Sequence, residues 1–309
     1  NMVEGMQNDG YAESSVVHTL SIVKQLLQSA VDNQMIPMNP CKGIAIEKSE
    51  KVTVDPILED ESKILQPEEI KTFLDAAKNT RYYELFYIIL NTGMRIGEIT
   101  ALCWSDIDFE CHRIRVYKTL NRTTIYFDEG KNRLEKPESV KQITTPKKKA
   151  SYRWIPMTEG VELAFHSWEK KQIADKEKSG SSWGKENPFL KDFPDLVFTT
   201  QPGGVFLPQY ANAECSRIIS IIEKKEIELA EKENREPRLY EVYPHKFRHT
   251  FVTKLNESNM SPFTVSVGHT SVNMTNYYTH LEQDYVADEF RKFAAKYDEG
   301  KVPAVPEKE

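Results

Sequence analysis

A chain of 309 residues with 39% apolar and 28% charged side chains has the balance of a globular protein of about two domains, and no window approaches the ~18 consecutive apolar residues of a membrane span. The net charge of −6 opposes nucleic-acid binding in general, since neutralising phosphates supplies most non-specific affinity. Any such role must rest on local basic clusters, around Lys147, Lys148, Lys149 and Arg153 and around His245, Lys246, Arg248 and His249.

The chain opens at Asn1 without a charged-then-apolar leader, which predicts a piece of a longer cytoplasmic protein. From Ala12 to Val31 the residues Leu20, Val23, Leu27, Ala30 and Val31 recur at helical spacing, ahead of Pro37 and Pro40. Residues 1–40 read as the end of a small helical domain and 41–63 as a linker, where the periodicity is lost. Cys41, Cys103, Cys111 and Cys215 form no CxxC pair, so neither a disulfide framework nor a structural zinc site is expected. Gln66-Pro67-Glu68-Glu69 signals a helix start, with Ile70, Phe73, Leu74 and Ala77 on the buried face. Leu85 to Leu90 predicts a buried helix stopped by Thr92-Gly93. Arg113 to Tyr117 and part of Ser151 to Met157 alternate as strands do, which predicts two or three strands of one small antiparallel sheet between 112 and 158, separated by a long polar connection. Residues 166–192 read as a polar helix and exposed loop outside the core, and Leu196-Val197-Phe198 as a short strand or turn. A long helix is expected from about Gln209 to Lys232, with Ile218, Ile221, Ile222 and Leu229 inward.

Four segments carry chemistry: Thr92 to Glu98, Pro146 to Lys149, His245 to His249, and Gly268-His269 with Tyr277-Tyr278-Thr279-His280. Singly, each has an ordinary explanation as a cap, a solvated turn or a packing aromatic. Together they supply what phosphoryl transfer to a tyrosine needs. Arg95 and Arg248 suit a bidentate clamp on a phosphodiester's non-bridging oxygens. His245, His269 and Lys147 are available as base and acid for the attacking and leaving oxygens.

These segments resemble the tyrosine recombinase or phage integrase family over nearly all of residues 64–283. The family's Thr-Gly-x-Arg-x-x-Glu motif stands at Thr92 to Glu98, its His-x-x-Arg-His at His245 to His249, its Leu-Gly-His at Val267-Gly268-His269, and its Tyr-x-His at Tyr278-Thr279-His280. The family's lysine, in a turn before an Arg-x-Ile-Pro strand, matches Lys147 ahead of Arg153 to Pro156, with Lys148 and Lys149 as alternatives. The stretch Ser261 to Val267 is shorter than the family's usual helix.

The resemblance implies an α+β, mainly helical catalytic domain with a small antiparallel sheet over 64–283, preceded by the remnant of a helical core-binding clamp in 1–40. It implies a site-specific DNA recombinase of a mobile element or phage, independent of metal, ATP and other cofactors, with Arg95, Lys147, His245, Arg248, His269 and Tyr278 as catalytic residues. Its partners would be double-stranded DNA with specific recombination sites, three further copies in a tetramer, and an accessory directionality factor. Residues 284–309 form a tail whose stripe Val286, Phe290, Phe293 and Tyr297 either packs on its own domain or docks on a neighbour. A type IB topoisomerase shares the chemistry, and a non-catalytic DNA-binding relic would lack a member of the set. A zinc site at His245 and His249 is disfavoured by Lys246 and Arg248 beside it.

Overall fold

The computed structural model describes residues 2–44, 64–128, 130, 132–145, 152–238 and 241–257. The later part of the expected linker and the whole C-terminal tail lie outside the described residues. The chain divides into two units, residues 1–60 and 61–309.

The first unit holds α1 (Met2–Asn8) and α2 (Glu13–Asp32). Val16 and Leu20 form the buried face of α2, one turn apart. Past its end, Asn33 Nδ2 donates to Ser29 O at 2.7 Å, and Asn39 Nδ2 reaches back to Lys24 O at 2.9 Å. The first bond reinforces the helix's last turn, where the Asn33 N–H also donates to Ser29 O, and the second ties the chain after the helix back onto its middle.

In the second unit, α3 (Pro67–Ala77) starts where Pro67 and the acids place it, and the Gln66 backbone N–H donates to Glu69 Oε2 at 2.8 Å in a capping box. Its Phe73 meets Phe86 of α4 (Tyr83–Thr92) at 5.3 Å between ring centroids and Phe247 of α8 (Pro244–Glu257) at 5.0 Å. This aromatic triangle is the centre of the core. Gly93 ends α4 at φ 60°, a left-handed conformation that glycine adopts without strain, and the chain turns at once into the short α5 (Ile96–Thr100).

Beyond α5 the described residues form five strands in two sheets rather than one sheet. β1 (Ile107–Asp108), β2 (Arg113–Val116) and β5 (Arg153–Pro156) pair antiparallel in the order β1-β2-β5, with Ile114 opposite Ile155 and Val116 opposite Arg153. Alternation buries Ile114 and Val116 while Arg115 stays on the other face. The segment read as a polar connection is itself structured: β3 (Thr119–Phe127) and β4 (Arg133–Thr144) make a long antiparallel ribbon, Thr119 opposite Thr144. Among its described residues the root is the packed part, where Leu120 is buried with Ala101, Val205 and Leu207.

α6 (Glu159–Ser179) corrects the expectation of a polar element outside the core. It starts earlier, capped by the Thr158 hydroxyl, which accepts from the Val161 N–H, and it buries Ala164, Phe165 and Trp168. Trp168 Nε1 donates to Val197 O at 2.6 Å, and Gln172 Nε2 donates to Leu196 O at 3.0 Å and Val197 O at 2.8 Å. The apolar segment 196–198 is thus held by side chains of α6 and by an isolated antiparallel bridge of Leu196 with Cys103, without joining either sheet. α7 (Pro208–Glu233) matches its expected extent and buries Ile218 and Ile222. Ile221 and Leu229, expected inward, are exposed. Ile221 lies about 100° round the helix from Ile222, off the buried stripe, whereas Leu229 shares the azimuth of that stripe and is exposed in the helix's last two turns.

Candidate active site

The turn after α4 and the start of α5 gather three arginines around one carboxylate. Arg95 is the residue before α5, and its backbone N–H donates to Glu98 Oε2 at 2.8 Å while its Nη1 donates to Oε1 at 3.0 Å. Arg153, at the first position of β5, grips the same carboxylate with two parallel bonds, Nη1 to Oε1 at 3.1 Å and Nη2 to Oε2 at 2.8 Å. This ion pair is buried, with side-chain exposures of 5% and 4%.

Arg248 enters from α8. It is buried at 3% exposure, and its Nη1 donates to the Gly93 carbonyl at 2.5 Å across 155 residues of sequence. Burial and the neighbouring cations of Arg95 and Arg153, partly offset by Glu98, push its pKa down to about 9. The guanidinium therefore remains a cation at neutral pH, a concentrated charge in a low-dielectric surround. Burial also works to raise the pKa of Glu98, but the Arg153 fork, the Arg95 N–H and both charges outweigh it and hold the carboxyl below its usual value.

Arg95 is the outward member of the group, its side chain 42% exposed. His245, one turn before Arg248 on α8, and His249, the residue after it, are one turn apart, and their rings stand 4.5 Å apart and nearly perpendicular. His245 is exposed and His249 half-buried. The arrangement offers an anion two guanidinium groups of different mobility, with imidazole at the rim. That is the donor set for a phosphodiester in a site partly shielded from water.

The model for the phage integrase family matches residues 63–284. The chain belongs to the phage integrase family. A XerC-like tyrosine recombinase of Caldanaerobacter subterraneus subsp. tengcongensis is 31% identical over 280 residues, which is 89% of this chain and 64% of that one. The transposase of transposon Tn916 from Enterococcus faecalis is 25% identical over 93% of this chain and 63% of its own length. The chain thus spans a little under two thirds of these curated relatives. Among solved structures, the Tn1549 transposon integrase in complex with a circular intermediate DNA superposes with a TM-score of 0.62 at 23% identity, covering 94% of this chain and 83% of that chain. The mainly helical fold with small antiparallel sheets is that of the family's catalytic region.

Of the residues singled out in the sequence, the fold brings Arg95, Arg248, His245 and His249 to one region. Lys147, Lys148, Lys149, His269, Tyr277, Tyr278 and His280 lie outside the described residues. Two members of the family motifs make contacts at this site that the sequence did not reveal. Glu98 is the hub of the arginine group, and its sequence signals are its place at the end of the Thr-Gly-x-Arg-x-x-Glu motif and the capping-box spacing, Glu three residues after Arg95. Arg153, which the sequence places in a basic cluster, is turned inward onto Glu98. Lys246 is likewise buried, its Nζ donating to Glu241 O at 3.0 Å, so its charge is not presented outward.

Proposed function

We propose that this chain is the DNA-cleaving portion of a site-specific recombinase of a mobile element, which breaks and rejoins strands through a 3′-phosphotyrosyl intermediate. The observation that carries the reading is the convergence of Arg95 and the buried cation Arg248 around Glu98. In this mechanism the two arginines bind the non-bridging oxygens of the scissile phosphate and stabilise the charge that builds on them. The Tyr278 hydroxyl attacks phosphorus, the bond to the 5′-oxygen breaks, and a proton from Lys147 (or Lys148 or Lys149) converts the leaving alkoxide to a hydroxyl. His245 and His269 accept the tyrosine's proton and orient the phosphate. Attack by a 5′-hydroxyl reverses these steps on a new partner strand, so the phosphotyrosyl bond conserves the energy of the broken diester and no nucleotide cofactor is consumed.

Residues 1–40 belong to the same proposal as the last part of a helical DNA clamp, 41–63 as linker, 64–283 as catalytic domain and 284–309 as a tail coupling neighbouring copies. Assembly as a tetramer on two duplexes and the use of a directionality factor follow from the family reading. The mobile-element assignment is supported by the Tn916 transposase and the Tn1549 integrase as relatives.

The test is covalent trapping on nicked duplexes selected from a randomised library. Wild-type protein forms a DNA adduct that maps to Tyr278, Tyr278→Phe binds without forming one, and Tyr277→Phe still forms one. An adduct at Tyr277 moves the nucleophile, and relaxation of supercoils without sequence preference moves the protein to the topoisomerases. For the general acid, Lys147→Ala cripples cleavage of normal DNA and is rescued by sulfur at the 5′-bridging position, since a thiolate leaves without protonation. Rescue confined to Lys149→Ala moves that role along the segment.

A further inference from the structure

The ion pair between Arg153 and Glu98 joins two elements that otherwise have separate origins, the short helix α5 and the edge strand β5, 55 residues apart. Arg153 makes the strongest geometry available to a carboxylate, two parallel charge-assisted bonds that fix its plane. With that plane fixed, the same two oxygens hold Arg95 twice, at its backbone N–H and at Nη1. Glu98 therefore has no rotational freedom left, and Arg95 inherits its position from it.

We propose that Arg153 is a positioning residue for DNA cleavage: its guanidinium fork fixes the Glu98 carboxylate from which Arg95 is aimed at the scissile phosphate. This deepens the recombinase reading and rests on it. Arg153 is not assigned any contact with DNA, and its buried side chain is turned to Glu98. Among the described residues, the charged groups facing Glu98 are Arg95 at the start of α5, Arg153 on β5 and Arg248 from α8. Remove the fork and Glu98 keeps its burial while losing its strongest partner, so the carboxylate becomes easier to protonate and free to turn. Arg95 then loses both its acceptor and its alignment. A lysine at 153 restores the charge but not the two parallel bonds.

The experiment compares wild type, Arg153→Met, Arg153→Lys and the double variant Glu98→Gln/Arg153→Met, as the full chain, on nicked duplexes that the wild type converts to adduct. Single-turnover cleavage, DNA binding, thermal melting and the pH profile of cleavage are read for each. Misplacing a catalytic group by a fraction of its reach costs about 100-fold in rate, so Arg153→Met is expected to cleave ~100-fold more slowly while binding DNA nearly as well as wild type. Its cleavage falls further on acidification through a range where the wild type is flat, and the double variant, which has no carboxyl to titrate, loses that dependence. Arg153→Lys falls between the two and melts near the wild-type temperature. A purely structural ion pair gives a different result: a lower melting temperature, normal cleavage per folded molecule and an unshifted pH profile, which overturns the proposal. If Arg153→Met fails to fold, Arg153→Lys decides, and a wild-type rate in that variant also overturns it. Failure of the wild type to form an adduct with any library member is a distinct outcome, which removes the recombinase reading and this inference with it.

Discussion

Two antiparallel pairings lie side by side in the second unit, and they are built on opposite principles. β2 and β5 are short, bury Ile114, Val116 and Ile155 on one face, and deliver Arg153 to a buried carboxylate. β3 and β4 are two to three times longer, yet their residues are exposed over most of their length beyond the root at Leu120. The three-stranded sheet is held by what it covers. The ribbon is held by its own ladder and by cross-strand pairs such as Arg122 with Ser139. The lesson is that adjacency in the chain says little about energetic coupling: the sheet is part of the arginine site and the body of the ribbon is not.

The comparison breaks most easily at Glu98. Replacing it with alanine leaves Arg153 buried without its counter-charge, and such a loss costs ~3–5 kcal/mol. Urea denaturation should show that loss for Glu98→Ala, and a variant as stable as wild type would mean the sheet is not tied to the site through this pair. Next comes Gly97, where an added Cβ would meet Thr119 Oγ1 at 2.5 Å and the Leu120 carbonyl at 3.0 Å. Gly97→Ala should cost ~1–3 kcal/mol as an overpacked contact, and the melting temperature reads it.

Smaller still is the acid dependence of the pair. Glu98 has a depressed pKa in the folded protein, so its stabilisation is complete above the unfolded value of ~4.3 and is lost as pH falls through the lower folded value. The stability gap between wild type and Glu98→Gln should therefore close on acidification below about 4.3. A gap that widens there would assign the depression the wrong sign. Smallest is the ribbon: Thr123→Ala, on its exposed stretch, should stay within ~0.5 kcal/mol of wild type. A larger effect would show that the ribbon's body is covered.

Much of the second unit was legible because local signals and burial agree there. Pro67 with Glu69, Gly93 after the apolar run, and the alternation around Ile114 each mark a boundary that the fold keeps. The ribbon escaped because a strand exposed on both faces has no period-two apolar pattern to read. α6 was misjudged for the converse reason. Its Gln172 and Asp175 look like surface residues, yet Gln172 supplies the backbone of 196–197 with hydrogen bonds and Asp175 pairs with Arg81. At the candidate site, Arg95 and Arg248 were visible through their motifs. The fork of Arg153 on Glu98 was not, since no local pattern links a strand residue to a helix cap 55 positions away.

Gly97 has a mechanical meaning as well as a steric one. It lets the backbone of α5 lie flush against the first two residues of β3, one residue from the helix position that holds Arg95 in place. There is no slack at that joint, neither a side chain to compress nor a gap to close. The ribbon is therefore rooted, through Thr119 and Leu120, directly on the helix that carries the arginine's anchor.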